Sequence, residues 1–189
     1  ETMLRTLQVA NLFVGPLDHA REWYRYEHLF SDLLRHQLER SRTPDDIAEL
    51  HRRAGRWYQE HELPREAIHH SLAARDWDEA MDLLAVESTP LFRGGEMITL
   101  LGWLKAIPED VIRTRPQADL DYASALLFTN EFEAAENALL ELEGRTDLED
   151  ALRGRVLASH AMFAIMRRQQ APAMELSRAA LELLPREDS

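Results

Sequence analysis

Residues 55–74 read GRWYQEHELPREAIHHSLAA. Four small side chains and one aromatic fall at Gly55-x2-Tyr58-x8-Ala67-x3-Ser71-x2-Ala74. Pro64 sits where a second helix would open, because a first-turn proline lacks only an N–H that has no partner there. The stretch reads as two helices joined by a short turn, with small residues where the helices must approach closely.

The same offsets recur twice. They appear at Ala123-x2-Leu126-x8-Ala135-x3-Leu139-x2-Leu142 and at Ala161-x2-Ala164-x8-Ala173-x3-Ser177-x2-Ala180, with Pro185 following the last. A small residue in the first helix and an alanine twelve positions later match the tetratricopeptide pattern. Alanine is common in helices, so one match says little; three in frame, each straddling a turn, make a repeat. The step from Ala123 to Ala161 is 38 residues, against about 34 in that repeat, so the array is irregular.

Outward from these blocks the pattern stays helical from Thr43 onward. Thr43 offers an N-cap, Pro44 a first-turn proline, and Asp45 and Asp46 acids at the positive helix end. Gly94-Gly95, Pro108, Pro116, Asn130 and Gly144 break the chain into segments of helix length with short connections. Only NLFVGPLDHAREWYRY, near the start, reads as strand: Leu12–Val14 and Trp23–Tyr26 flank a turn-rich loop and form a β-hairpin. Leu4, Leu7 and Leu12 suggest a helix leading in, and Leu29, Phe30, Leu33, Leu34 and Leu38 a helix leading out. The fold class is all-α, antiparallel helical hairpins in a TPR-like superhelical array with one small β-hairpin. Two parts are expected: 1–42, and a repeat domain over 43–189.

Composition narrows the functions. The 189 residues carry no cysteine, which removes disulfides, thiolate metal sites and thiol catalysis and suits a cytoplasmic location. No apolar run approaches the ~18 residues of a membrane span. The formal charge is −12, Lys105 is the single lysine, and the arginines are dispersed among carboxylates. Nucleic-acid binders concentrate their cations, so direct nucleic-acid binding by this chain is not expected. His69-His70 and the stretch HELPREAIHH suggest metal only at first sight. Arg65 stands where a zinc-protease helix has its second histidine, and neighbouring histidines on a helix diverge by about 100°. Asp76, Asp78 and Glu79 around Trp77 sit at a helix start, where acids serve the helix end. No phosphate loop, nucleophile elbow or dinucleotide fingerprint occurs, so neither a catalytic residue nor a metal ligand is assigned and an enzyme is not expected.

Three blocks together carry a family resemblance: LQVANLFVGPLD with WYRYEHLFSDLLRHQL, then ELHRRAGRWYQEHELPREAIHHSLAARDWDEAMDLL, then GEMITLLGWLKAIPEDVIRTRP. Their order and spacing resemble the large ATP-dependent LuxR-type transcriptional regulators, the family of the maltose-regulon activator. The resemblance implies that residues 1–42 end a winged-helix domain and that 43–189 are the first repeats. Members carry a signalling NTPase module before this segment and a helix-turn-helix after it, so ATP or ADP with Mg would belong to the parent protein and no cofactor to this chain. The chain begins without methionine and in mid-pattern, as a piece of such a protein would. Trp23–Tyr26 would be a strand of the wing, with Leu29, Phe30, Leu33 and Leu34 on the helix packed beneath it. Tyr26-Glu27-His28-Leu29 is similar to the stretch whose histidine reads ADP phosphates in related NTPases. That makes Glu27 and His28 nucleotide-sensor candidates, although Glu27 replaces a histidine and its carboxylate would repel a diphosphate. The first helix of each pair would line a concave surface for a small-molecule inducer or regulatory protein. Arg52, Arg56, Asp121, Arg155 and Arg167 are the candidate contacts, being polar where a repeat core needs no polarity. The rival reading is a stand-alone repeat adaptor that binds proteins and meets neither ATP nor DNA.

Overall fold

The computed structural model describes Thr6, Val14–Pro16 and residues 24–184. The expected lead-in helix around Leu4, Leu7 and Leu12, together with Trp23 and Pro185, lies outside the described residues. By its contacts the chain divides into two compact units, Glu1–Leu50 and His51–Ser189.

In the first unit, β1 (Val14–Pro16) and β2 (Tyr24–Tyr26) pair antiparallel with Val14 opposite Tyr26 and Pro16 opposite Tyr24. Helix α1 (His28–Ser41) follows. Phe30 lies against Tyr26, ring centroids 5.6 Å apart. Leu29 and Leu33 are 87% and 60% exposed, so the packing expected of this helix does not extend to them. They sit four apart and therefore share one face, and that face is solvated. Helix α2 (Pro44–Glu60) opens as its sequence requires. Thr43 Oγ1 accepts from the Asp46 N–H at 3.2 Å while the Asp46 carboxylate accepts from the Thr43 N–H at 3.1 Å, a reciprocal cap. The division between the units falls within α2, whereas the sequence reading draws it just ahead of that helix.

The second unit continues with α3 (Pro64–Ala74), α4 (Trp77–Gly94), α5 (Met97–Lys105), the single turn α6 (Glu109–Ile112), α7 (Pro116–Phe128), α8 (Phe132–Glu143), α9 (Asp150–Met166) and α10 (Gln170–Leu183). The described residues are thus all-α apart from one small hairpin. Every break at Gly95, Pro108, Pro116, Asn130 and Gly144 falls at a helix end.

The repeat register holds, and it holds one more time than the sequence suggested. Ala67 and Ala74, Ala123 and Ala135, and Ala161, Ala173 and Ala180 are all buried. So are Ser88, Leu91, Leu100, Leu104 and Ile107, which occupy the same offsets along α4, α5 and the turn just after it. Gly55 explains why the first helix position is small. A Cβ there would already be in van der Waals contact with the Ala67 carbonyl and Ser71 Oγ, both at 3.7 Å, across the helix pair. The core runs through Ile68, Met81, Leu84, Leu91, Leu100, Leu104, Leu126, Leu139 and Phe163.

Turns close alike as well. In five connections a residue at positive φ is followed by one whose N–H reaches back five residues. The bonds are Leu63 to Tyr58, Asp76 to Ser71, Glu96 to Leu91, Glu131 to Leu126 and Gln169 to Ala164, at 2.8–2.9 Å. This closure satisfies carbonyls that a helix end leaves open, and three of the acceptors, Tyr58, Leu126 and Ala164, are second positions of the sequence repeat.

Candidate functional site

Three first helices of successive pairs meet in one chain of polar contacts. Asp121, on α7, is 5% exposed. Its carboxylate accepts from Gln117 Nε2 at 2.7 Å, one turn earlier on the same helix, and from the Ser88 hydroxyl on α4. Gln117 Oε1 in turn accepts from Arg155 Nη1, on α9, at 2.6 Å. The i, i+4 spacing puts Gln117 and Asp121 on one face, and the amide reads a donor on one side and an acceptor on the other. Burial pushes the Asp121 carboxyl above the usual carboxylate range, against the lowering effect of its Ser88 and Gln117 hydrogen bonds and of Arg155.

Beside this relay lies a cavity of about 40 Å³, walled by Met81, Leu84, Leu100 and Leu104, with Ser88, Gln117 and Asp121 among its polar lining. It has room for a water or two, far short of the roughly 300–1,000 Å³ that encloses a small molecule. Arg115 closes one side. Its guanidinium reaches Asp78 Oδ1 at 3.3 Å and pairs with Asp82, so Asp78 serves an ion pair at the start of α4. Elsewhere cations are paired across the surface, Arg65 with Glu96 at 2.7 Å and Lys105 with Glu131 at 2.7 Å, as the dispersed charge pattern suggested.

The structure therefore brings together Asp121 and Arg155, two of the five surface candidates, through a residue the sequence reading passed over. Ser88 and Gln117 carried a signal, since Gln117 stands four before a polar residue in an apolar helix. Arg52 is half-buried and Arg56 exposed, one turn apart on α2. Arg167 caps α9 and lies over the Phe163 ring, 5.5 Å from its centroid. Glu27 holds the N-cap position of α1, its carbonyl accepting from the Ser31 N–H at 2.8 Å, and His28 is the first helical residue; both side chains are exposed. Of the adjacent histidines, His70 turns toward His51 of α2, with Nδ1 atoms 2.8 Å apart. Among the described residues no three metal-ligating side chains converge as a metal ion requires, and no helix is long and apolar enough to cross a membrane.

An in-register array of helix pairs, preceded by a strand pair and helix, defines a helical-repeat protein joined to a small N-terminal module. That module has a specific likeness: residues 1–46 match the MalT winged helix domain family. The chain is 31% identical over 186 residues to the HTH-type transcriptional regulator MalT of Cronobacter sakazakii, covering 96% of this chain and 20% of that protein. It is 31% identical over 189 residues to MalT of Klebsiella pneumoniae, covering 98% and 21%. It is also 33% identical over 152 residues to the serine/threonine-protein kinase PknK of Mycobacterium tuberculosis, covering 79% and 14%. The resemblance to the MalT regulators thus extends over nearly the whole chain, and the chain spans about a fifth or less of the length of these relatives. No solved structure matches it.

Proposed function

We propose that this chain is the regulatory segment of a signal-responsive transcription regulator, coupling an NTPase switch to an effector-binding TPR-like superhelix. The observation that carries this reading is the pair of likenesses. Similar segments stand in proteins named for different outputs, a helix-turn-helix regulator and a protein kinase. What such proteins share is then the receiving part and not the output. In this reading the parent protein is cytoplasmic, of LuxR type, and holds ATP or ADP with Mg in a STAND-type NTPase module. Its DNA contacts are made by its helix-turn-helix, and this chain itself is not an enzyme.

The relay of Ser88, Asp121, Gln117 and Arg155 supports a coupling role, because one chain of contacts touches three helix pairs. A ligand shifts such an array only through unequal affinity for two of its states. The cavity beside the relay, at about 40 Å³, is too small for an inducer, so an inducer or regulatory protein would bind on the surface, where Arg52, Arg56, Arg155 and Arg167 are the candidate contacts, while the buried Asp121 acts through the relay. The complete reading frame tests the proposal: a phosphate loop before this segment and a helix-turn-helix after it are expected. A frame with neither makes the chain a repeat adaptor. Calorimetry on the 189-residue chain with ATP-Mg should register no binding, and micromolar affinity would overturn the placement of the nucleotide elsewhere.

A further inference from the structure

His51 on α2 and His70 on α3 face each other across the first helix pair. Their Nδ1 atoms are 2.8 Å apart and their ring centroids 5.1 Å apart. Both side chains are half-buried. Tyr58 of α2 stacks on His70 at 5.3 Å, and the His69 ring stands edge-on to it at 5.9 Å. Two ring nitrogens at 2.8 Å share a hydrogen bond only if one carries the proton and the other a lone pair. The two imidazoles are therefore held as opposite tautomers, each fixing the other.

The titratable groups that bear on this pair are the two histidines themselves, His69, and Tyr58 through its ring. Glu66, exposed, stands one turn before His70 on the same helix, while, after burial, the interactions that shift the pair are those of neighbouring histidines. This sets it apart from His160, which pairs with Glu143. A first added proton leaves an imidazolium N–H donating to a neutral nitrogen, and the bond survives. A second sets N–H against N–H with two like charges, and the bond cannot exist.

We infer that His51 and His70 form a proton-operated clasp between α2 and α3, closed while the pair holds at most one added proton and opened by the second. Burial, then the neighbouring histidines, hold both imidazoles below the usual histidine range. The sign follows: stability from the neutral pair is fully present above the unfolded value of about 6.5 and is lost as pH falls through the lower folded values. Because the second unit begins at His51, acid loosens this unit at its first helix pair.

Imidazole nitrogen NMR of the 189-residue chain, from about pH 8 to about pH 4.5, tests the clasp. Opposite tautomers are expected at high pH, with protonation in two steps separated by about one pH unit or more. Amide exchange over residues 51–74, corrected for its intrinsic pH dependence, should rise about tenfold relative to α7 and α8 as the second step is passed. His51→Gln can still hydrogen-bond but takes no proton, so its exchange over 51–74 should stay flat. Independent titration of both rings near their ordinary value, or exchange in the parent chain that ignores pH, overturns the proposal. If the variant does not fold, the titration of the parent chain decides alone.

Discussion

The backbone N–H of Gln169 donates to the carbonyl of Ala164 at 2.8 Å, and between that donor and helix α9 stands Arg168 at φ 59°. The closure needs a left-handed residue, yet the chain supplies arginine, whose Cβ makes that conformation cost roughly 1–2 kcal/mol. Arg168→Gly is therefore expected to stabilise by about 0.5–1 kcal/mol, once the larger entropy of unfolded glycine is set against the relief. Arg168→Val should destabilise. Urea unfolding of both variants measures this, and a loss on glycine substitution would show that the turn is held by the arginine side chain.

Two other glycines should respond with opposite signs. A Cβ on Gly154 of α9 would lie 3.2 Å from the Ala180 carbonyl, 3.2 Å from Leu183 Cβ and 3.0 Å from Leu184 Cγ. A Cβ on Gly102 of α5 meets nothing within 4 Å. Gly154→Val is expected to cost about 1–3 kcal/mol through overpacking, while Gly102→Ala gains about 0.5–1 kcal/mol of helix propensity. Equal effects on melting temperature would mean that α9 and α10 are not so closely apposed.

These positions also mark how far the sequence could be read. Three repeats were legible because Gly55, Ala123 and Ala161 are small where helices touch, and Ala67, Ala135 and Ala173 follow at a fixed offset. The pair α4 and α5 escaped because Leu100 and Leu104 fill the alanine and serine offsets, so the register survives while composition does not. Left-handed turn residues escaped for a similar reason: Glu62, Arg75 and Arg168 carry no glycine signature, and Asn130 alone has a local preference for that region. Asp121 read as a candidate contact on the concave surface, yet its carboxylate is buried; its partner Ser88, and the Arg155 that reaches Gln117, stand on other helices far off in sequence.

The buried carboxylate gives a pH prediction. Asp121 is held above the ordinary carboxylate range by burial, so the folded state binds its proton more tightly than the unfolded state. Its contribution to stability is present below the unfolded value of about 3.9 and is lost as pH rises through the folded value. The difference in unfolding free energy between Asp121→Asn and the parent chain should therefore favour the variant more at neutral pH than at pH 3. A difference independent of pH would mean that the carboxylate is solvated.

Gln117 offers the sharpest test of the relay. Arg155 Nη1 can only donate, so the amide must turn its oxygen to Arg155 and its nitrogen to Asp121. Gln117→Glu keeps an acceptor for Arg155 but sets a second carboxylate against Asp121 in a site where burial already disfavours charge. A cost of about 1–3 kcal/mol at neutral pH is expected. Adding Asp121→Asn restores a donor opposite the new carboxylate and should recover most of that loss, giving a coupling within the roughly 0.5–3 kcal/mol seen for side chains in one network. Arg155→Ala in the same background should recover nothing, because it removes the one cation that faces the new charge. Chemical unfolding of the four combinations at positions 117 and 121, at pH 7 and again at pH 4, measures the coupling and its decline as the carboxylates come to share a proton. Strict additivity at both pH values would show that the amide does not bridge Arg155 and Asp121, and the relay would end at Ser88.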